Sequence, residues 1–419
     1  MSTFDVSTRQ EDEQFADNRA PRHRSSRIWL GVFAASTIVC ILALSALMYN
    51  VINGAFGLAA IEDSLDRATL AVDGVSIEEQ SADQLQAVLR EHVRPAMVRR
   101  LETERPFAER SREQLLGVVL ETVVQPRAER TWPLDDSLLR RRAIEAEHAA
   151  DFPGTRLEFV SWLSPSFVSR PQSGVAENAG VRTALLGSLW TIAITVLFAF
   201  PFGLGAAVYL EEYADHRRRI NRVIQTNINN LAGVPSIIYG MLGLAIFVRA
   251  FEPFTSGAFM SAGDATTANG RTILSAGLTL ALLVLPLIII NSQEAIRAVP
   301  SSLRQASFGL GATRWQTIWN HVLPAALPGI LTGTILSISR AIGETAPLVV
   351  IGASTAIFVD PSGPFSKFTT LPIQVYQWTS RPQDEFRNIA AAAILVLLIL
   401  LLTLNATAVV LRNRFSVRY

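Results

Sequence analysis

Lysine and cysteine are nearly absent from this chain of 419 residues. The single lysine among 37 basic residues is Lys367, in "GPFSKFTT", and no glycine immediately precedes it. A phosphate-binding P-loop needs GxxxxGK[ST], whose lysine reaches the nucleotide phosphates, so the sequence excludes a P-loop ATPase. The single cysteine, Cys40, excludes an intrachain disulfide and a cysteine metal site. The five histidines form no HxxxH pair, and we predict no catalytic residue, no metal site and no cofactor.

Charge is scarce as well, because only 17% of the residues are charged, against about 25% in a soluble domain. Six stretches contain no Asp, Glu, Lys or Arg, and each exceeds the ~20 residues that a membrane-spanning helix needs. These stretches are Ile28–Ile61, Thr183–Leu210, Val223–Val248, Thr272–Gln293, Trp315–Ser339 and Asn388–Leu411. Because the backbone in lipid must satisfy its own hydrogen bonds, the sequence predicts an all-α membrane protein with six transmembrane helices.

The positions of arginine predict that both termini are cytoplasmic, since basic residues favour cytoplasmic loops. Residues 1–27 and 413–419 are then cytoplasmic tails, and residues 28–50 are the first transmembrane helix. A cleaved signal peptide is the alternative for that first helix, but its apolar run exceeds the about 7–15 residues of a signal core. Residues 183–412 hold the other five helices, with a patterned cytoplasmic loop at 294–324.

Residues 51–182 differ from the rest of the chain, because they are rich in glutamate and arginine. They show helical apolar spacing in "SADQLQAVLREHVRPAMVRRLE" and "REQLLGVVLETVV". Long domains cross the membrane regardless of their charge. The sequence therefore predicts a mainly helical extracytoplasmic insertion between helices 1 and 2. Two roles stay open for it: a structural cap, or a docking surface for an extracytoplasmic partner.

Two charges stand in an apolar context in "SISRAIGETAPLVVIG", namely Arg340 and Glu344. A charge at mid-bilayer costs at least ~2.5–3.5 kcal/mol, so such a residue is a candidate functional site. Gly343 and Pro347 predict a break of the helix beside the two charges. A guanidinium presents a planar fork to oxyanion oxygens, which makes Arg340 a candidate for an anion path. The alternative is a structural Arg–Glu pair that holds the broken helix.

The cytoplasmic loop reads "EAIRAVPSSLRQASFGLGATRWQTIWNHVLPAALPGI". Pro300 and the two serines after it predict the start of a short helix, and Gly309 and Gly311 predict its end. A second helix, "TRWQTIWNHVL", is predicted to run to Pro324, where the fifth span begins. A short amphipathic helix of this kind can lie in a groove of another protein.

The spacing of this loop resembles the "EAA" loop of binding-protein-dependent ABC importer permeases: EAA, three residues, Gly, nine residues, then Ile-x-Leu-Pro. In this chain Gln305 replaces the glutamate and His321 replaces the isoleucine. In the family this loop sits in a groove of the ATPase subunit. The resemblance therefore implies that the residues which couple to the ATPase are Gln305, Ala306, Ser307, Gly311, Ala312, Leu323 and Pro324.

The segments "YLEEYA", "NNLAGVPSIIYGMLGL" and "RAIGETAPL" narrow the resemblance to the PstA-type permeases of bacterial phosphate importers. That resemblance implies the type I importer permease fold in the cell inner membrane, with the chain itself not an enzyme. It implies a second, PstC-like permease subunit, two PstB-like ATP-binding subunits and a periplasmic PstS-like phosphate-binding protein. The implied substrate path comprises Arg340, Glu344 and Thr345, where Glu344 pairs with Arg340, accepts a proton from phosphate or contacts the second permease subunit.

Three other functions remain open from the sequence. The first is a permease for another oxyanion, such as molybdate or sulfate, although "RAIGETAPL" argues against it. The second is a secondary transporter without ATP, which leaves the cytoplasmic loop unexplained. The third is a membrane anchor or sensor whose outer domain is the active part, which leaves Arg340 and Glu344 without a purpose.

Overall fold

The computed structural model describes residues 19–415 except 66, 72–74, 78, 105, 216, 261–268, 354–356 and 358–359. The outer parts of both predicted tails, residues 1–18 and 416–419, lie outside the described residues. The chain divides into two units, Met1–Asn50 and Val51–Tyr419, which we describe separately. The first unit consists of most of helix α1, which runs over Arg19–Ala55 and is therefore longer at both ends than the predicted helix at 28–50.

The insertion after α1 contains a three-stranded antiparallel sheet that the sequence did not predict. Its strands are β1 (Phe56–Asp63), β2 (Pro126–Pro133) and β3 (Arg156–Ser161), in the spatial order β2-β1-β3. Residues Phe56–Ile61 of the central strand β1 lie within the charge-free stretch Ile28–Ile61, because a largely buried strand is as uniformly apolar as a membrane helix. The insertion also carries helices α2 (Ala82–His92), α3 (Pro95–Glu104), α4 (Arg112–Val119), α5 (Leu134–Leu139), α6 (Arg141–Asp151) and α7 (Pro165–Ser169).

The helices α2, α3 and α4 form a helical lobe, residues 64–125, between strands β1 and β2. Serine caps begin α2 and α4: Ser81 and Ser111 each form a capping box with the glutamine three residues later. The segment with helical apolar spacing is divided at Pro95 into α2 and α3, because a proline disfavours the α conformation in the residue before it. The lobe has an apolar core of its own, which includes Leu85, Leu89 and Leu115.

The permease part of the chain follows the insertion. Its helices are α8 (Arg182–Val208), α9 (Arg219–Ala232), α10 (Ser236–Gly243), α11 (Glu252–Thr255), α12 (Ile273–Arg297), α13 (Ser301–Gly309), α14 (Arg314–Thr317), α15 (Leu323–Gly343), α16 (Ala346–Ile351), α17 (Leu371–Thr379) and α18 (Asp384–Phe415). Within the described residues, five helices are long and apolar enough to cross a membrane. They are Ser25–Ala55, Arg182–Tyr213, Ile273–Arg297, Arg314–Gly343 and Asp384–Arg414.

The predicted span Val223–Val248 is not one continuous helix. The segments Arg219–Ala232 and Ser236–Ala250 meet at an angle of 106°. Pro235 has no N–H to donate and lies in an extended conformation, with φ −55° and ψ 136°, so α9 ends before it and α10 begins after it. The predicted total of six transmembrane helices holds when this bent pair is counted as one span.

The helix α12 lies at the centre of the permease part. It packs along α8 and α15, and most of its side chains are buried. The base of the insertion joins the same domain, because Phe167 and Trp162 share an apolar core with Trp378 of α17 and Phe386 of α18. The rings of Phe167 and Trp378 lie 6.0 Å apart between centroids. The insertion is thus packed against the end of α17 and the start of α18.

Candidate functional site: a broken helix and the cytoplasmic loop

The predicted break beside the two membrane charges is confirmed. Helix α15 ends at Gly343, and Glu344 adopts an extended conformation with φ −73° and ψ 121°. Helix α16 begins at Ala346 with Pro347 in its first turn, where the missing proline N–H leaves no intrahelical bond unmade. The break leaves backbone groups at the end of α15 and at the start of α16 without intrahelical partners.

Arg340 and Glu344 contact each other across the last turn of α15. Arg340 Nε donates to Glu344 Oε1 over 3.4 Å, and their side chains are 52% and 16% exposed. This is the single hydrogen bond that the Arg340 side chain makes with described residues. Since a guanidinium carries five N–H donors, four donors of Arg340 have no partner among the described residues.

The hydroxyl groups near Arg340 divide into two kinds. Ser337 Oγ donates to Gly333 O and Ser339 Oγ donates to Ile335 O, so both close onto the backbone of their own helix. Ser339 also lies 2.5 Å from Asn405 Oδ1 of α18. The half-buried side chain of Thr345 makes no hydrogen bond within the described part of the chain. Of the three hydroxyls, Thr345 is the one available to a ligand.

The cytoplasmic loop adopts the predicted helix–glycine–helix arrangement. Helix α13 ends at Gly309, and Gly311 has φ 83°, a left-handed conformation that glycine adopts without strain. Thr313 then caps α14 by a capping box with Gln316. Ser307 Oγ lies 2.9 Å from Thr317 Oγ1 in the interior of the loop. The two helices are therefore fixed to each other.

The residues predicted to couple to an ATPase are not equally accessible. Gln305 and Ala306 are exposed on α13, and Gly311 is exposed at the turn. Ser307 is buried, Ala312 is half-buried, and Leu323 and Pro324 are half-buried within the following helix. The most exposed apolar side chain of the loop is Leu310, at 91%.

A pair of stacked tryptophans was not part of the sequence prediction. The rings of Trp315 and Trp319 lie 5.4 Å apart between centroids with an interplanar angle of 23°. The two side chains are 57% and 59% exposed. The four-residue spacing on one helix face is the signal from which the pair could have been found. Exposed aromatic side chains of this kind are enriched where a protein surface docks a partner.

Two salt bridges fasten this loop to the end of α8, and the sequence did not reveal them. Arg304 donates through Nε and Nη2 to Glu212 Oε1, at 3.1 and 2.7 Å, and its Nη1 and Nη2 also reach two backbone carbonyls. Arg297 Nη2 lies 2.6 Å from Glu211 Oε1. The side chains of Arg304 and Glu212 are only 21% and 12% exposed. The adjacent acids of "YLEEYA" were visible in the sequence, but their partners lie about ninety residues away.

The prediction that the second loop helix ends at Pro324 is wrong. Helix continues without interruption over Arg314–Gly343. The segment Ile318–Val322 is a π-helical turn, in which Leu323 N donates to Ile318 O. The wider turn admits the proline, which has no N–H, without ending the helix. One rigid element of about 39 Å therefore runs from Arg314 to Arg340.

Comparison with known proteins gives the class of this chain. The family described as "Binding-protein-dependent transport system inner membrane component" matches residues 199–417. The probable ABC transporter permease protein YqgI of Bacillus subtilis is 34% identical over 220 residues, which cover 52% of this chain and 68% of that protein. The phosphate transport system permease protein PstA 1 of Mycobacterium tuberculosis is 35% identical, over 56% of this chain and 70% of that protein. PstC of Pasteurella multocida is 34% identical, over 52% and 71%.

The chain therefore belongs to the binding-protein-dependent transport system inner membrane component family. It is a multi-pass membrane permease subunit of an ABC importer, and its fold is that of the permease subunits. Importers of this family combine such a permease with a second permease subunit, ATPase subunits and a substrate-binding protein. The cytoplasmic loop and the broken helix are thus both features of a permease subunit.

Proposed function

We propose that the chain is the PstA-type permease subunit of an ATP-driven importer that moves inorganic phosphate across the cytoplasmic membrane. The names of the relatives support phosphate as the substrate, since both PstA and PstC proteins match at about one third identity. In this proposal both termini face the cytoplasm and the insertion faces the periplasm. A PstC-like subunit completes the pore, two PstB-like subunits hydrolyse ATP, and a PstS-like protein delivers phosphate.

The observation that carries the proposal is Arg340, placed at the end of a continuous helix that begins in the cytoplasmic loop. Four N–H donors of its guanidinium have no partner among the described residues, and Glu344 holds one edge of the group. Charge-assisted hydrogen bonds from arginine match the oxygens of a phosphate ion. Thr345 adds a hydroxyl at the break. Movement of the loop by an ATPase would be transmitted along the helix to this anion path.

The test is phosphate uptake by cells that carry Arg340→Gln in the complete transporter, with membrane insertion verified by immunoblot. Loss of a charge-assisted hydrogen bond costs about 1.5–3 kcal/mol, so uptake should fall roughly 10- to 100-fold. The matched control is Arg387→Gln, because Arg387 is also exposed and paired with one carboxylate, Asp384, at 3.3 Å. Uptake at the control level in Arg340→Gln would remove Arg340 from the transport path.

A competition assay separates phosphate from other oxyanions. Radioactive phosphate uptake should fall when unlabelled phosphate is added and stay unchanged in a large excess of sulfate or molybdate. A protonated phosphate oxygen can donate to Glu344, and sulfate has no such proton at neutral pH. Equal competition by sulfate or molybdate would assign the permease to that other oxyanion.

A further inference from the structure

A polar cavity of about 530 Å³ opens where the segment after α10 approaches the start of α12. This end of α12 lies opposite the cytoplasmic loop, because the helix runs for 25 residues from Ile273 to Arg297. The cavity is large enough for a small oxyanion with its water shell. Its lining residues are Leu244, Val248, Arg249, Glu252, Asn269 and Arg271. We call this cavity the outer arginine site.

The charged side chains of the outer arginine site have no partner among the described residues. Neither the side chain of Arg249 nor that of Arg271 forms a salt bridge or hydrogen bond with them, and neither does the side chain of Glu252. Three other arginines of the permease part, Arg297, Arg304 and Arg387, each contact a carboxylate. Two guanidinium groups facing one carboxylate leave the cavity with a net positive charge and ten N–H donors.

Arg271 occupies a position that helix stability does not favour. It precedes Thr272, whose side chain caps α12 by accepting from Ser275 N. A cation at the N-terminus of a helix opposes the helix dipole, whereas an anion there is stabilised. Arg271 thus adds positive charge to an end that is already positive. An anion bound between Arg271 and Arg249 would compensate both contributions.

The side chain of Arg271 is held in place by a close backbone approach. It lies against Gly352, where an added β-carbon would come within 2.7 Å of Arg271 Cδ and 2.9 Å of its Nε. Gly352 has φ 103° and ends helix α16. Only glycine combines this left-handed conformation with room for the arginine. Arg271 is exposed, but the stem of its side chain and its Nε lie against the backbone at Gly352.

The same helix connects the outer arginine site to the break beside Arg340. Helix α16 begins two residues after Glu344 and ends at Gly352, against Arg271. Its six residues span about 9 Å. The outer arginine site and the break beside Arg340 therefore lie at the two ends of this short helix.

We propose that Arg249 and Arg271 form a second binding site for a tetrahedral oxyanion, at the outer mouth of the path that leads to Arg340. The site retains the anion released by the substrate-binding protein until the path opens. In this chain the anion is inorganic phosphate, so the proposal rests on the proposed function. The residues differ from those of the path itself, which are Arg340, Glu344 and Thr345.

The experiment uses the complete transporter in proteoliposomes, with phosphate-loaded binding protein at saturating concentration. The double variant Arg249→Gln/Arg271→Gln is compared with wild type and with Arg387→Gln, which removes an exposed charge from the same side of the molecule. Two quantities are measured together: phosphate imported, and ATP hydrolysed in response to the binding protein. Without the outer site, phosphate returns to the bulk before the path opens, so phosphate imported per ATP should fall roughly tenfold. Stimulated ATP hydrolysis should persist.

Further outcomes are decisive as well. Partial recovery of the ratio in Arg249→Lys/Arg271→Lys, which restores charge but not the planar fork, would support an anion site. An unchanged ratio overturns the proposal. If import and hydrolysis fall together and recover as the binding protein is raised, the two arginines dock that protein instead, and the proposal is again overturned. If the wild-type transporter imports no phosphate, the proposed function itself fails.

Discussion

Glu177 is the residue of the insertion whose ionisation the fold changes most clearly. It lies in a short 3₁₀ turn, Ala176–Asn178, and its Oε1 accepts from Ala128 N of β2 over 2.6 Å. Burial raises the pKa of the Glu177 carboxyl above its ordinary value of 4.5, and the nearby Glu385 adds to the rise. The hydrogen bond from Ala128 and the charge of Arg127 act in the opposite direction without cancelling it. Glu177 joins the sheet to the base of the insertion at the cost of burying a carboxylate.

We predict that Glu177 makes the protein less stable as the pH rises. The folded state binds the Glu177 proton more tightly than the unfolded chain does, so stability is greatest below pH 4.5 and falls as the pH rises through the raised pKa. Glu177→Gln keeps the acceptor for Ala128 N and removes the titration. In thermal unfolding of the purified complex, the midpoint of wild type should fall relative to that of Glu177→Gln as the pH rises from 4.5 to neutral.

The control for this comparison is Glu145→Gln. Glu145 is a carboxylate of the same insertion that is half exposed and contacts Arg141 over 3.0 Å. Exposed pairs of this kind contribute at most about 1 kcal/mol, so its loss should leave the pH dependence nearly as in wild type. The same pH dependence in Glu177→Gln as in wild type would contradict the role of burial.

At the scale of elements, the salt bridge between Arg304 and Glu212 anchors the cytoplasmic loop to the end of α8, although much of the loop is exposed. The loop helices α13 and α14 expose Leu310 and the tryptophan pair, yet the contact between Arg304 and Glu212 is largely buried. A force applied to the exposed surface therefore acts on α8 as well as on the continuous helix that follows the loop. Both neighbours of α12 are connected to the loop in this way.

We predict that breaking this anchor reduces transport more than it reduces ATP hydrolysis. Arg304→Met keeps the aliphatic stem of the side chain and leaves Glu212 without its partner. Glu212→Gln removes the carboxylate and leaves Arg304 without its charged partner. Contacting residues show coupling energies of about 0.5–3 kcal/mol, so the double variant should be less impaired than the sum of the singles. Uptake and ATP hydrolysis by the purified transporter measure the two effects. Strict additivity of the two substitutions would contradict the anchor.

The break in α15 and the bend between α9 and α10 show where sequence reasoning succeeds and where it stops. Gly343 and Pro347 predicted the break, because both residues act locally on the backbone. The bend inside the predicted span Val223–Val248 was not predicted, because its angle of 106° depends on how α9 packs against α12. Pro324 was misread, since the π turn that ends two residues earlier, at Val322, lets the helix continue past it. The sequence also revealed the charges that stand in apolar stretches. It did not reveal pairings over long sequence distances, such as Arg304 with Glu212.

At the scale of the molecule, the insertion consists of two parts with different attachments. The sheet and the residues before α8 share an apolar core with α17 and α18. The helical lobe at 64–125 instead has its own core. Its first and last residues are neighbours in space. Ser64 N donates to Val124 O over 2.9 Å, and Ser64 Oγ donates to Gln125 O over 3.1 Å. The lobe is thus an insertion in the connection between the paired strands β1 and β2.

We predict that the lobe is dispensable for folding and that the base is not. Replacing residues 66–123 by two glycines closes the hairpin between β1 and β2 without disturbing the sheet. Membrane insertion, detergent stability and assembly should then be retained. Removal of residues 56–181 should prevent stable assembly, because Trp378 and Phe386 lose the aromatic and aliphatic groups that cover them. Size-exclusion chromatography of the purified complex measures both outcomes, and loss of assembly in the lobe deletion would contradict this division.

The π turn at Ile318–Val322 has one more consequence for the molecule as a whole. Such a turn holds one residue more than an α turn, so it sets the rotational phase of every side chain beyond it. Deleting a single residue there would convert the turn to α-helix and rotate the distal part of the helix by about 100° relative to the cytoplasmic loop. Arg340 would then face a different neighbour, although its own surroundings in the sequence had not changed. The direction in which the membrane arginine points is encoded some twenty residues away.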